Sequence, residues 1–174
     1  MNKNEKQITI YGEAEFIFLN ERDTAFGEPG EYKVTLKVPR AKSGELIRDI
    51  NEVISKELEG KPPEVIKNEL IKARKPYTVR GEEVHFKAHS KFKPVLWDRD
   101  QNKLDENIQV WKGSTMWANC KASGYTKPIG TGATLMLSSV QINKLVKGSS
   151  QNGACPFPKR KGSALPAPEK AVAL

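Results

Sequence analysis

The sequence predicts a mainly β domain, a small closed or partly closed antiparallel barrel of five or six strands with a helical insertion after the second strand. Three observations carry this. Several segments alternate apolar and polar residues with period two, one stretch near residue 50 switches to helical spacing, and glycines mark the bends. A β-sandwich of similar strand count satisfies the same pattern.

Over residues 8–19, ITIYGEAEFIFL mixes β-branched and aromatic residues as a first strand, with a bend at Gly12. A loop ending in GEPG leads to EYKVTLKV, which turns Tyr32, Val34, Leu36 and Val38 inward and Lys33, Thr35 and Lys37 outward before Pro39 closes the strand. In GELIRDINEVISKELEG, Leu46, Ile47, Ile50, Val53, Ile54 and Leu58 recur at helical spacing, with Ser43 as N-cap and Gly60 as stop. Pro62 and Pro63 open a second, shorter helix carrying Val65, Ile66, Leu70 and Ile71.

Period two returns in TVRGEEVHFKAHSKF, a third strand with Val84, Phe86, Ala88 and Phe92 on the core face and His85, Lys87, His89 and Lys91 on the other. LWDRDQNKLDENIQVW then reads as a hairpin turning at residues 100–102. In STMWANCKASGY, Met116, Ala118, Cys120 and Ala122 face the core, leaving Trp117, Asn119, Lys121, Ser123 and Tyr125 toward water. Gly130 and Gly132 break the chain before a last strand with Leu135, Leu137, Val140 and Ile142 as core and a bulge near Ser138 and Ser139. The folded domain is expected over residues 1–147, followed by a flexible, Pro-rich, basic tail over 148–174.

No run of about 18 apolar residues is present, which argues for a soluble protein without a membrane span. The N-terminal MNKNEKQ is too polar for an export signal, and the distant Cys120 and Cys155 suit a reducing compartment, so a cytoplasmic location is expected. With 29 Lys and Arg against 21 Asp and Glu, the net charge of +8 favours a polyanionic partner.

Lys33, Lys37, His85, Lys87, His89, Lys91 and Lys121 all lie opposite their strands' core faces, and Trp117 and Tyr125 share that side. These are either ordinary solvated faces, with Trp117 under the helix or a loop, or a stacking platform in a positive groove. On the second reading, aromatics stack on bases whatever their identity while lysines neutralise phosphates. Lys93 and Lys112 are further phosphate contacts on that reading. Single strands are favoured over duplex because their bases are free to stack.

Other chemistry finds little footing. His85, His89 and Cys120 lack the short ligand spacing of a zinc site. The stretch from Asp98 carries Lys103 where a calcium loop needs glycine, and Gln109 where it needs glutamate. GTGAT has no following lysine for a phosphate loop, and no nucleophile–base pair or carboxylate cluster stands out. Neither an enzyme nor a cofactor or metal is expected. Among small barrels the OB-fold, with an open face that accepts oligonucleotides, is the leading choice.

Four stretches carry a resemblance to a known family: GEAEFIFLNERDTAFGEPGEYKVTLKVP, GELIRDINEV, VHFKAHSKF and GSTMWANCKASGYTKPIGTGATLMLSSVQINKL. Their order and spacing resemble the single-stranded-DNA-binding proteins of bacteriophage replication, of the short-tailed lytic phage type, over residues 10–147. The resemblance implies an OB-fold, single-stranded DNA binding without strong sequence preference, and a part in replication, recombination or annealing. It also implies a stacking role for Tyr125, seven residues before Gly132-Ala133-Thr134. Replication proteins such as a polymerase or helicase-primase are partners on the same ground, and a homodimer is left open. The family's acidic tail is replaced here by Lys159, Arg160, Lys161 and Lys170 against Glu169 alone, which removes the basis for tail-mediated recruitment. The competing functions are a structural or interaction protein of phage assembly and an RNA chaperone on the same fold.

Overall fold

The computed structural model describes residues 4–105 and 107–146. The tail expected over 148–174, with its basic cluster, lies outside the described residues. Seven strands and two helices run in the order β1 (Glu5–Asp23), β2 (Glu31–Pro39), α1 (Gly44–Glu57), α2 (Pro63–Lys72), β3 (Tyr77–Arg80), β4 (Glu83–Ser90), β5 (Val95–Trp97), β6 (Thr115–Lys127) and β7 (Gly130–Lys144). Pairing follows β3-β4-β2-β1-β6-β7-β5, and a further β4–β7 pairing closes the ring. The barrel is therefore β1-β2-β4-β7-β6, an OB-fold. Four of its seams are antiparallel, and the fifth is a short parallel contact of Ala88 with Leu135 and His89 with Met136.

One long strand serves two neighbours. The first half of β1 pairs with β6 from Glu5 to Glu13, and its second half pairs with β2 from Glu13 onward. Gly12 stands at that change-over, where an added Cβ would lie 2.6 Å from the carbonyl oxygen of Lys37. Only a glycine lets the two backbones approach so closely. The register slips slightly later, between Ala14 and Phe16, so the irregularity expected at Gly12 is a bulge at Glu15.

The barrel interior is filled as the alternation predicts: Val34, Leu36, Val38, Val84, Phe86, Ala88, Met116, Ala118, Cys120, Ala122, Leu135, Leu137, Val140 and Ile142 are all buried. Burial pushes the Cys120 thiol pKa up to about 12. Helix α1 adds Ile50, Val53 and Ile54 to the same core. Ser43 does stand at the N-cap position, but its hydroxyl donates to the Arg40 carbonyl, 2.8 Å away, instead of capping a helix amide. Helix α2 is only loosely docked: Leu70 packs against the core, whereas Val65 and Ile71 stay exposed.

Four expectations need correction. The third predicted strand is a hairpin, β3–β4, turning at Gly81 with φ +62. Phe92 leaves the core face because β4 ends at Ser90, whose hydroxyl accepts the Phe92 amide and turns the chain; Phe92 is 81 % exposed. The hairpin from Leu96 forms its turn, but the return holds only a Trp97–Lys103 bridge, and β5 pairs in parallel with β7 instead. Gly130 and Gly132 lie within β7 rather than before it. The bulge near Ser138 is present, with Asn119 opposite Ser139 and Cys120 opposite Leu137.

Candidate nucleic-acid interface

Closing a sheet into a barrel divides its outer surface, so residues on the outer side of different strands need not share a face. Strand β6 pairs with β1 and β7 and with neither β2 nor β4. Trp117 and Lys121 therefore look out from a different side than Lys33, Lys37, Lys87 and His89. The sequence-predicted platform separates into two surfaces.

The first lies on β1, β2 and β4. Ladder partners set its cross-strand rows: Phe18–Lys33–His89, then Phe16–Thr35–Lys87, then Glu13–Lys37–His85. Beyond the first row, Arg22, Phe26, Lys33, Lys91 and Phe92 line a groove of about 580 Å³. Phe16, Phe26 and Phe92 are 64, 94 and 81 % exposed. Lys33 sits 5.3 Å from the centre of the Phe26 ring, and the Arg22 guanidinium lies over Tyr32.

Charge is distributed unevenly along this surface. The lowest row is neutralised within the protein: Lys37 meets Glu13 at 3.4 Å, and Glu15 faces both His85, at 3.2 Å, and Lys112, at 3.8 Å. His85 also faces Glu83 at 3.3 Å and is buried, so it does not belong to an exposed basic row as the alternation suggested. Higher up, His89 meets Glu31 at 3.4 Å and Lys33 meets Asp23 at 2.6 Å. Lys33 and the Ala25 amide hold the Asp23 carboxyl below its ordinary value. Lys87, Lys91 and Lys93 are exposed and make no ion pair among the described residues. Lys93 lines an adjoining shallow groove with Asn20 and Lys103.

The second surface lies on β1, β6, β7 and β5. Tyr11, Trp117, Gln141 and Trp97 form one row across the four strands, and Thr9, Asn119, Ser139 and Val95 the next. The Tyr11 and Trp117 rings pack in a tilted contact, with centroids 4.7 Å apart and planes 41° from parallel. Lys121 is held by Glu5 at 3.3 Å.

Tyr125 stands apart from both. It is half-buried at the β6–β7 hairpin, and a Cβ added to its ladder partner Gly132 would lie 2.7 Å from its hydroxyl. Lys127 lies 5.2 Å from its ring centroid. The neighbouring Arg74 segment joins the hairpin to β4, because the Arg74 amide donates to Thr131 and the Lys87 amide to Pro76.

Sequence reasoning missed Phe16, Phe18, Phe26, Arg22, Tyr11 and Trp97. The signal for Phe16 and Phe18 was present in FIFL, where they alternate with Ile17 and Leu19, but the bulge at Glu15 hides which pair points inward. The other four meet their neighbours only through tertiary pairing. Among the described residues no group of three or more His, Cys, Asp or Glu is placed to hold a metal ion, and no helix is long and apolar enough to cross a membrane.

No protein-family profile and no curated protein sequence matches this chain. Solved structures do. The chain is similar to gp2.5, a single-stranded DNA binding protein encoded by bacteriophage T7, with TM-score 0.67 and 19 % identity over 92 % of this chain and all of that one. It is also similar to the single-stranded DNA-binding protein from bacteriophage Enc34 in complex with ssDNA, with TM-score 0.62 and 14 % identity over 86 % of this chain and 95 % of that one. A C-terminal truncation of the Enc34 protein aligns with TM-score 0.61 and 15 % identity over 84 % of this chain and 93 % of that one. Strand order, barrel closure and these alignments together show that the chain has the OB-fold found in bacteriophage single-stranded-DNA-binding proteins.

Proposed function

We propose that this protein binds single-stranded DNA without strong sequence preference across the outer face of β1, β2 and β4, in support of DNA replication, recombination or annealing in a phage. The observation that carries the reading is the set of exposed phenylalanines beside lysines that have no ion-pair partner among the described residues. Each exposed Phe forgoes about 1.5–3 kcal/mol of burial. Phe16, Phe26 and Phe92 leave their rings open to solvent on the surface that also carries Lys87 and Lys91. Flat rings without hydrogen-bonding edges offer every base the same stacking surface, and ammonium groups offer every phosphate the same charge. Such a face distinguishes single strands from duplex without reading sequence.

Lys33 and His89 join this path only by exchanging Asp23 and Glu31 for phosphate, and Lys37, Lys112 and His85 contribute less because carboxylates already surround them. Tyr125, half-buried at the β6–β7 hairpin with Lys127 beside its ring, lies off this face and meets DNA only where the strand continues past the Arg74 segment. The fold similarity to proteins whose names state single-stranded DNA binding supports the same reading.

The test is a titration of a short labelled oligothymidylate, the matching RNA and a duplex, with Phe16→Ala and Phe92→Ala beside the parent protein. Each substitution is expected to weaken oligothymidylate binding by about 1–3 kcal/mol with circular dichroism unchanged. Preference for RNA would point to a chaperone of RNA. Absence of binding to all three would leave an interaction protein of phage assembly.

A further inference from the structure

We propose that the pocket between Trp97 and Trp117, on the side of the barrel away from the phenylalanine face, is a second and base-reading subsite for single-stranded DNA that takes one base carrying an exocyclic amino group beside a ring-nitrogen acceptor, adenine or cytosine rather than thymine. The inference rests on the single-stranded DNA reading above and adds a selective element to it.

The pocket has a volume of about 620 Å³, within the roughly 300–1,000 Å³ range of small-ligand sites. Its floor is the row Trp117–Gln141–Trp97, in which Gln141 is the ladder partner of both tryptophans. Two inter-strand steps put the indole-bearing backbones about 10 Å apart. A plane held between two rings needs about 7 Å, so inward lean of the indoles leaves room for one base. Trp117 is already packed against Tyr11, which fixes one ring.

The polar groups are those a base edge needs. Gln141 donates its amide nitrogen to the carbonyls of Asp98 and Arg99, at 3.2 and 3.5 Å, which leaves its side-chain oxygen as an oriented acceptor. Asn119 and Gln101 bring further amides to the same pocket. The Gln141 oxygen suits an exocyclic amino group, and an amide donor from Asn119 or Gln101 suits the ring nitrogen beside it, N7 next to N6 in adenine. Thymine, with a carbonyl at the corresponding position, lacks that amino group.

Gln101 adds an independent sign. Among the described residues it is the one non-glycine in the left-handed region, at φ +67. Strained backbone of this kind clusters at ligand sites. The Asp98 carboxylate holds the turn in place by accepting the amides of Asp100 and Asn102, so its charge is directed into its own loop and away from a ligand. Lys103, 5.8 Å from the centre of the Trp97 ring, and the exposed Arg99 are cations beside the pocket for the adjoining phosphates.

The test compares a short oligothymidylate with the same oligomer carrying one central adenine, read by anisotropy and by tryptophan quenching. The parent protein is expected to bind the adenine-bearing oligomer three- to tenfold more tightly. Trp97→Ala should remove that ratio while circular dichroism stays unchanged, with any loss of stacking shared by both oligomers. Gln101→Gly, which suits the left-handed backbone and removes only the side chain, should reduce the ratio at unchanged thermal stability, and Phe92→Ala should weaken both oligomers equally while keeping it. Oligothymidylate binding with no adenine preference, or with a preference that survives both pocket substitutions, overturns the subsite alone. Binding of neither oligomer overturns the subsite and the single-stranded DNA reading together.

Discussion

Asp23 and Lys33 show how one ion pair can set the strength of a binding face. The pair is 2.6 Å long at the edge of the phenylalanine groove, and it occupies a cation that DNA would otherwise engage. Asp23→Asn keeps the acceptor oxygen for the Ala25 amide and releases Lys33. Single-stranded DNA affinity is then expected to rise by about 0.5–1 kcal/mol, with the salt slope steeper by about 0.7. Unchanged affinity and slope would show that Lys33 takes no part. The Asp23 carboxyl titrates below its ordinary value, so the pair's contribution to stability is present above the usual carboxylate range and is lost as pH falls through the depressed value. Cys120 illustrates the opposite case, a group removed from chemistry. Fully buried, with its pKa pushed up to about 12, it is expected to resist thiol reagents in the folded protein and react only on unfolding. Rapid labelling of Cys120 under native conditions, told apart from Cys155 by peptide mapping, would contradict its placement.

At the scale of elements, what was legible in the sequence followed periodicity, and what was hidden followed pairing. The inward rows of β2, β4 and β6 were readable because one strict alternation decides which side meets the core, and that of β7 because the paired serines mark the bulge where its alternation shifts. The hairpin at Gly81 was obscured because apolar Val79 and Val84 fall on either side of a turn that keeps the strand-like composition. His85 read as exposed and basic, yet Glu15, brought in by the β1 bulge, and Glu83 enclose it. Gly12 read as a bend, and its role in the contact between strands depends on Lys37, far away in sequence. Gly12→Ala must push that backbone aside, so a loss of about 1–3 kcal/mol in unfolding free energy is expected by denaturant titration. A loss under 0.5 kcal/mol would mean that the change-over from β6 to β2 tolerates a side chain.

Across the whole molecule, a net charge of +8 does not say where DNA lies; on the outer face of β1, β2 and β4 the lysines with no carboxylate partner among the described residues mark the proposed path. Of the lysines singled out from sequence, Lys33, Lys37, Lys112 and Lys121 face carboxylates, whereas Lys87, Lys91 and Lys93 do not among the described residues. Sequence alone does not separate these seven by pairing and places Lys121 in the groove with Lys87 and Lys91, because the acidic partners Asp23, Glu13, Glu15 and Glu5 come from β1, outside the strands or loops that carry the lysines. The fold class was legible because alternation, the helical insertion and the glycines all agreed; the division of the outer surface into two faces was not, since it follows from barrel closure through the short β4–β7 contact. The most direct test of this account is the salt dependence of oligothymidylate affinity in two triple variants. The three phosphates met by Lys87, Lys91 and Lys93 contribute about −2 to the slope of log affinity against log salt in the parent protein. Replacing Lys87, Lys91 and Lys93 by Gln is predicted to flatten that slope by about 2, while replacing Lys37, Lys112 and Lys121 by Gln leaves it near its starting value; the reverse pattern would place the DNA elsewhere on the barrel and contradict the account.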